Sequence, residues 1–199
     1  MNSSGEHGSF FGLRWLIREW PYAALFTAGF LLAIAPFFGV LGTALLLVYL
    51  QLPLYMIHQF EEHRQDRFRK FFNDVIAGGR EALTPRAVLV INSIGVWGVD
   101  LAALHLAWNA GLEFGLIAVY MTLVNAVLHI IMAVALRCYN PGLLTAILLF
   151  LPLGMWALAI VSAASGATWR DHVVAVGIVL VIHGGIVVWV RHRLRQLRG

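Results

Sequence analysis

The chain has 199 residues, of which 60% are hydrophobic and 12% are charged, and its mean hydropathy is +0.81. This composition excludes a soluble globular domain, because a single core of this size could not bury so much apolar surface. The net charge of +4 at pH 7 fits contact with anionic lipid better than nucleic-acid binding, and the single cysteine, Cys138, excludes an internal disulfide framework.

Long apolar segments follow one another along the chain. Each is long enough, at about 1.5 Å rise per residue, to cross a hydrocarbon layer of roughly 30 Å as an α-helix. A transmembrane β-barrel is excluded because the segments lack two-residue alternation. The sequence therefore predicts an all-α polytopic membrane bundle of about six transmembrane helices. The predicted spans are residues 21–38, 40–58, 87–108, 112–136, 142–164 and 173–190.

The first two spans form one uninterrupted apolar segment. No charged residue occurs between positions 21 and 58, and this segment is too long for a single crossing. Pro36, Gly39 and Gly42 are residues at which a helix can end and the chain can turn. We therefore expect a tight hairpin of two helices rather than one tilted helix.

One long polar segment, residues 61–86, separates the second and third spans. Between positions 67 and 76 it mixes basic residues with apolar ones such as Phe68 and Phe72 at roughly helical spacing. This pattern is typical of an amphipathic helix at a membrane interface. The alternative is a solvated connector.

Lysine and arginine are distributed unevenly about the predicted spans. With six spans, Arg170 lies on one side of the membrane and the rest of the 14 basic residues lie on the other. Cytoplasmic segments are enriched in basic residues, so both termini, the N-terminal segment 1–20 and the connector 61–86 should be cytoplasmic. We expect a single transmembrane domain, residues 1–199, in the inner membrane of a bacterium.

Several polar side chains lie inside spans, where burial is costly and indicates a function. His129 and His183 stand the same number of residues before Arg137 and Arg191, the basic residues that end their helices. Because both helices run outside to inside, both histidines should lie roughly 12 Å inside the cytoplasmic boundary. The same layer should hold His58, Glu61 and Glu62 at the end of the second span, Asn92 in the third and Asn125 in the fourth.

The end of the second span carries the sharpest chemical pattern. In a helix, His58 and Glu62 are separated by four residues, share a face and could bind one metal ion. Glu61 would stand about 100° around the helix, where it could act as a general base, as in zinc peptidase helices. The alternative is a helix end whose acidic residues pair with Arg64, Arg67 or Arg80.

These residues resemble the HXXEE family of small bacterial and archaeal membrane proteins, whose motif reads here His58-Gln59-Phe60-Glu61-Glu62. A second block also fits, with Asn125, His129 and the turn Tyr139-Asn140-Pro141-Gly142-Leu143-Leu144-Thr145. His183 in the last span fits as well. The resemblance implies the fold and the choice of residues, and it names no reaction.

We interpret the polar layer as a membrane-embedded metal site. The candidate metal ligands are His58, Glu62, His129 and His183, with Glu61 as the catalytic base and Asn92 and Asn125 as orienting or substrate-binding residues. Such a site suits zinc or iron, as one ion or two, and hydrolytic or oxidative chemistry on an amphiphilic, lipid-like substrate.

Two other interpretations remain open at this point. A transporter or ligand-binding protein could use the same His/Glu layer to move protons or a metal ion. A structural or partner-binding membrane subunit would need only the ion-paired helix end.

Overall fold

The six predicted spans are all present as long helices. The structure, a computed structural model, describes residues 4–197 and, among side chains, those of residue 12 and residues 14–197. Six of its helices are long and apolar enough to cross a membrane, and the described part of the chain contains no strand. The helices are α1 (Ser4–Gly39), α2 (Thr43–His63), the short α3 (Arg67–Phe71), α4 (Pro85–Asn109), α5 (Leu112–Leu136), α6 (Leu143–Ser165) and α7 (Trp169–Gln196).

Helices α1 and α2 form the predicted hairpin. The chain turns between Gly39 and Thr43, and Gly42 adopts a φ of 106°, which favours glycine. Pro36 does not end α1, which continues to Gly39.

Helix α1 also begins earlier than the predicted span, because the segment before position 21 is helical from Ser4 onward. Trp20, Ala24 and Ala28 follow one another at intervals of four residues and are all buried. One face of α1 therefore packs against the bundle on both sides of Pro21.

Helix α2 occupies the centre of the bundle. Of its 21 residues 14 are buried, whereas α7, with 28 residues, buries only Ala175, Val179 and Val190. The polar residues near the end of α2 therefore face other helices rather than lipid.

The connector between α2 and α4 is partly helical. Helix α3 continues into a π-helical turn over Phe72–Ile76, and residues 77–84 have no α-helix. Phe68 and Phe72 pack against the buried cluster that includes Ala77 and Leu83. The connector is therefore attached to the bundle by its apolar residues.

The turn between α5 and α6 also follows the prediction. Helix α5 ends at Leu136, and Arg137 adopts the left-handed conformation, with a φ of 52°, as its C-cap. Asn140 and Pro141 lie outside both helices, and α6 begins at Leu143. This agrees with the bias of a residue before proline against helical conformation.

Candidate metal centre

Three of the predicted ligands meet in the interior of the bundle. His58 and Glu62 lie one turn apart on α2, and α5 brings His129 against them. Nε2 of His58 lies 3.5 Å from Glu62 Oε2, and Nε2 of His129 lies 3.5 Å from Glu62 Oε1. One ligand atom from each residue lies within 4.8 Å of the others, and all three residues are buried. Helical spacing therefore supplies two ligands and tertiary packing supplies the third.

A hydrogen-bond chain determines which ring nitrogen of His58 carries the proton. The Thr145 hydroxyl donates to Glu61 Oε2 at 2.5 Å and lies 2.7 Å from His58 Nδ1. Because the single hydroxyl proton points to Glu61, the Thr145 oxygen accepts from His58 Nδ1–H. His58 Nε2 is therefore unprotonated, and its lone pair faces Glu62. This nitrogen has no hydrogen-bond partner among the described residues.

The side-chain amide of Asn140 fixes the proton of His129 in the same way. Asn140 Nδ2 donates to the carbonyl oxygen of His129 at 3.0 Å, so Asn140 Oδ1 is the atom that faces His129 Nδ1, at 2.6 Å. His129 Nδ1–H donates to this oxygen. In its neutral form the His129 ring therefore also directs an Nε2 lone pair at Glu62.

When both rings are neutral, two imidazole lone pairs and a carboxylate face one another with no proton between them. Such an arrangement is repulsive unless a cation lies among the three groups. A proton alone fits poorly, since N–H···O hydrogen bonds span about 2.7–3.2 Å and both N···O separations here are 3.5 Å. Ligands that share a tetrahedral metal at about 2.0–2.1 Å lie about 3.4 Å apart. The three residues are therefore close enough together to hold one metal ion.

His63 and two aromatic rings enclose the cluster. His63 Nε2 lies 3.0 Å from Glu62 Oε2, a distance at which it can donate a hydrogen bond and orient the carboxylate. The Phe68 ring lies 6.0 Å from the His129 ring, and the Trp20 ring lies 5.1 Å from the His63 ring, measured between centroids. These contacts hold the imidazoles in place.

Glu61 binds the start of α6. Its Oε2 accepts from the Thr145 N–H at 2.8 Å, and its Oε1 lies 3.3 Å and 3.4 Å from the N–H groups of Gly142 and Leu144. The hydroxyls of Thr145 and Tyr139 each donate to it at 2.5 Å. A carboxylate is well placed there, because the N-terminus of a helix has free N–H donors and a positive partial charge.

The phenol that contacts Glu61 is itself affected by this position. Burial, followed by the hydrogen bond to Glu61, raises the pKa of Tyr139 above its usual value of about 10. Tyr139 therefore stays protonated, and remains a donor, throughout the physiological pH range.

Gly142 allows the turn to approach the two imidazoles. A Cβ atom at this position would lie 2.6 Å from His129 Cε1 and 2.9 Å from His58 Cε1. The φ of +99° also favours glycine. The turn that begins α6 therefore sets the positions of both rings.

The two predicted orienting asparagines lie near the cluster but do not contact its ligands. Asn92 Oδ1 accepts from Gln59 Nε2 at 2.9 Å, and Gln59 Oε1 accepts from the indole of Trp97 at 2.6 Å. Asn125 donates to the hydroxyl of Tyr55, whose ring packs on His58. Both asparagines thus act on α2 through a second side chain.

The structure does not bring His183 into the group. Its Nδ1 lies 2.9 Å from the carbonyl oxygen of Val179 in its own helix. Helix α7 packs through Val179, Ile182 and Ile186, and His183 lies at the edge of this face, where it is half-buried. The imidazole of His183 thus bonds to its own helix and is not part of the His58, Glu62 and His129 group. Among the described residues this is the one group of three or more His, Cys, Asp or Glu side chains that could hold a metal ion.

Three residues in or beside the cluster are not among the predicted site residues. Asn140 and Thr145 carry no signal of their own as ligands, and they belong to the turn that resembles the family pattern. His63 follows the motif directly, so its position beside Glu62 is readable from the sequence only once α2 is known to continue to His63.

A polytopic helical bundle that gathers two histidines and one carboxylate in its interior defines the class of this protein. The chain belongs to the family described as "Protein of unknown function with HXXEE motif", whose model matches residues 49–157. That region contains all three cluster ligands and their hydrogen-bond partners Thr145 and Asn140, whereas His183 lies outside it. No curated protein and no solved structure matches the chain.

Proposed function

We propose that this protein is a membrane-embedded, metal-dependent enzyme that acts on an amphiphilic substrate near the cytoplasmic leaflet. The orientation rests on the excess of lysine and arginine at the end of the bundle where the cluster lies. The observation that carries the proposal is the pair of imidazole lone pairs held 3.5 Å from one buried carboxylate.

The donor set favours one divalent ion, zinc or iron. Two imidazoles and one carboxylate are the ligands of hydrolytic zinc sites, and the same set is found in non-haem iron oxygenases. Three protein ligands leave a coordination position open, at which the ion would supply an activated water or oxygen for hydrolysis or oxidation of the substrate. Neighbouring side chains orient the three ligands: Thr145 and Asn140 orient the two imidazole rings, and His63 orients Glu62.

The role of Glu61 as general base is part of this proposal in a restricted form. Its carboxylate is engaged by three N–H groups and two hydroxyls. A base must release such donors before it takes a proton from a substrate. We therefore assign Glu61 first to positioning, through the start of α6 and Thr145.

Elemental analysis of the protein purified in detergent tests the metal site. We expect about one zinc or iron ion per chain in the wild type and loss of that ion in Glu62→Ala and His129→Ala. His183→Ala is the matched control, since it removes a histidine of similar predicted depth outside the cluster, and it should retain the ion. Equal metal content in all four proteins would refute the ligand assignment.

The enzymatic part of the proposal needs a separate measurement. Lipid extracts from cells that produce the wild type or His129→Ala can be compared by untargeted mass spectrometry. A metal-dependent activity predicts lipid species that change with the wild type and not with the variant. Identical lipid profiles at equal protein levels would contradict a lipid-like substrate.

A further inference from the structure

A large cavity lies beside the metal cluster, between α1, α3 and the start of α4. Its volume is about 1050 Å³, and His63 forms part of its wall. His63 is buried and its Nε2 lies 3.0 Å from Glu62 Oε2. A ligand in this cavity would therefore be separated from the cluster by one side chain.

The charge of this cavity is positive. Among its acidic residues, Asp66 and Glu81 are both paired with Arg69. The remaining charged residues are Arg14, Arg18, Lys70 and Arg86 against Glu19, and no ion pair joins these within the described side chains. The surplus of cationic donors matches an anionic ligand, and guanidinium groups suit phosphate or carboxylate oxygens in particular.

An apolar groove adjoins the cavity at Arg86. It lies between α4 and α7, has a volume of about 470 Å³, and is lined by Val90, Ile182 and Ile186 among others. Arg86 lines both the groove and the basic cavity. Arg86 therefore marks the boundary between a cationic and an apolar compartment. An amphiphile has the same two parts, a polar head group and an apolar chain.

We propose that the basic cavity and the apolar groove form one binding site for a lipid with a phosphate head group. The head group lies among Arg14, Arg18 and Arg86, and the chain lies between α4 and α7. Binding itself does not require the metal. That the bound lipid is the substrate rests on the proposed function, and the position of His63 between the cavity and Glu62 supports it.

Two glycines of α7 provide a matched pair of variants for the groove. Gly185 lines the groove, Gly184 does not, and a Cβ atom at either position would meet no atom within 4 Å. Gly185→Phe should fill the groove without disturbing the helix, and Gly184→Phe should place the same ring elsewhere. Arg86→Gln tests the cavity, with the double variant Arg191→Gln, Arg195→Gln as the control for charge at the same end of the bundle.

The affinity of each protein for dioleoyl phosphatidic acid can be measured by native mass spectrometry in detergent. Dioleoyl glycerol, which lacks the phosphate, and inorganic phosphate, which lacks the chains, are the comparison ligands. We expect phosphatidic acid to bind the wild type most tightly, and Arg86→Gln and Gly185→Phe each to weaken binding about tenfold or more. Gly184→Phe and the Arg191, Arg195 double variant should bind as the wild type does.

Two results would overturn the proposal. Equal weakening by the Arg191, Arg195 double variant would reduce the effect to general attraction between an anionic lipid and the basic end of the bundle. Unchanged binding in Gly185→Phe, together with equally tight binding of inorganic phosphate, would show a site for free anions and no site for a chain.

The same measurement on His129→Ala separates this proposal from the metal-dependent function. Lipid binding should persist in this variant even where the ion is lost. A wild type that contains no metal but binds phosphatidic acid selectively would refute the enzyme and keep the lipid site. A wild type that contains metal but does not bind phosphatidic acid selectively would refute the lipid site and leave the metal-dependent function standing.

Discussion

Gly142→Ala should weaken metal binding, because the added methyl group would press against both imidazoles. The new Cβ would lie 2.6 Å from His129 Cε1, whereas ordinary contacts of a Cβ begin at 3.4 Å. The His129 ring, or the turn, must therefore move by about 0.8 Å, and metal sites tolerate only about 0.2 Å in ligand distance. His58 Cε1, at 2.9 Å, must move as well.

The free energy of unfolding should fall by about 2–5 kcal/mol. About 1–2 kcal/mol comes from the positive φ, which a residue with a Cβ adopts at a cost. About 1–3 kcal/mol comes from the added volume in a packed interior. The two contributions can be separated with Gly166→Ala, because Gly166 has a φ of +65° and open space around its Cβ position.

Metal content by elemental analysis and unfolding in mixed micelles of dodecylmaltoside and dodecyl sulfate measure the two effects. Gly142→Ala should lose both metal and stability. Gly166→Ala should lose only the stability attributable to φ and should keep its metal. If Gly142→Ala keeps a full complement of metal at wild-type affinity, the turn does not set the positions of the imidazoles and the reasoning fails.

Three further predictions concern residues around the cluster. Glu61→Gln should lower the free energy of unfolding by about 1–3 kcal/mol, because its NH2 group would face the donors of α6, while metal content is retained; loss of metal would instead make Glu61 a ligand. Asn140→Ala should weaken metal affinity about 10- to 100-fold, as titration with a competing chelator would measure, since it removes the acceptor of His129 Nδ1–H; unchanged affinity would contradict the assignment of the His129 tautomer. Asp100→Asn should leave the unfolding temperature unchanged or higher, because neither carboxylate oxygen of this buried residue has a partner among the described residues; a lower temperature would reveal a bound ion or proton donor at Asp100.

The fold could be predicted from the sequence because length and hydropathy decide which segments cross a membrane. The predicted span 112–136 coincides with α5, and the other spans differ mainly at their ends. The largest difference is α1, whose helix extends upstream of Pro21. Hydropathy does not describe tertiary packing. Trp20 packs against His63 and Trp97 and thereby holds the segment before Pro21 to the bundle.

The sequence predicts a level in the membrane for each candidate ligand, but it does not predict the direction of the side chain. Counting residues from a basic helix end places His129 and His183 at one level, since the rise per residue is constant. Which way a side chain points depends on how its helix is rotated, and α7 is apolar nearly all round, so its sequence does not identify the packed face. His129 faces Glu62, and His183 turns to its own backbone.

The partners of the cluster could not be predicted because they depend on tertiary contacts. Asn140 and Thr145 are distant in sequence from α2, and only the turn before α6 brings them to the imidazoles. The role of Glu61 as a cap for another helix likewise requires the position of α6, which periodicity within α2 does not contain.

X-ray absorption at the K edge of the bound metal tests the central claim most directly. If His58, Glu62 and His129 are the ligands, the spectrum of the purified wild type should show two imidazole rings and at least one oxygen at about 2.0–2.2 Å. His129→Ala, in whatever fraction retains metal, should show one imidazole. A sulfur ligand, or two imidazoles that persist in His129→Ala, would contradict the account.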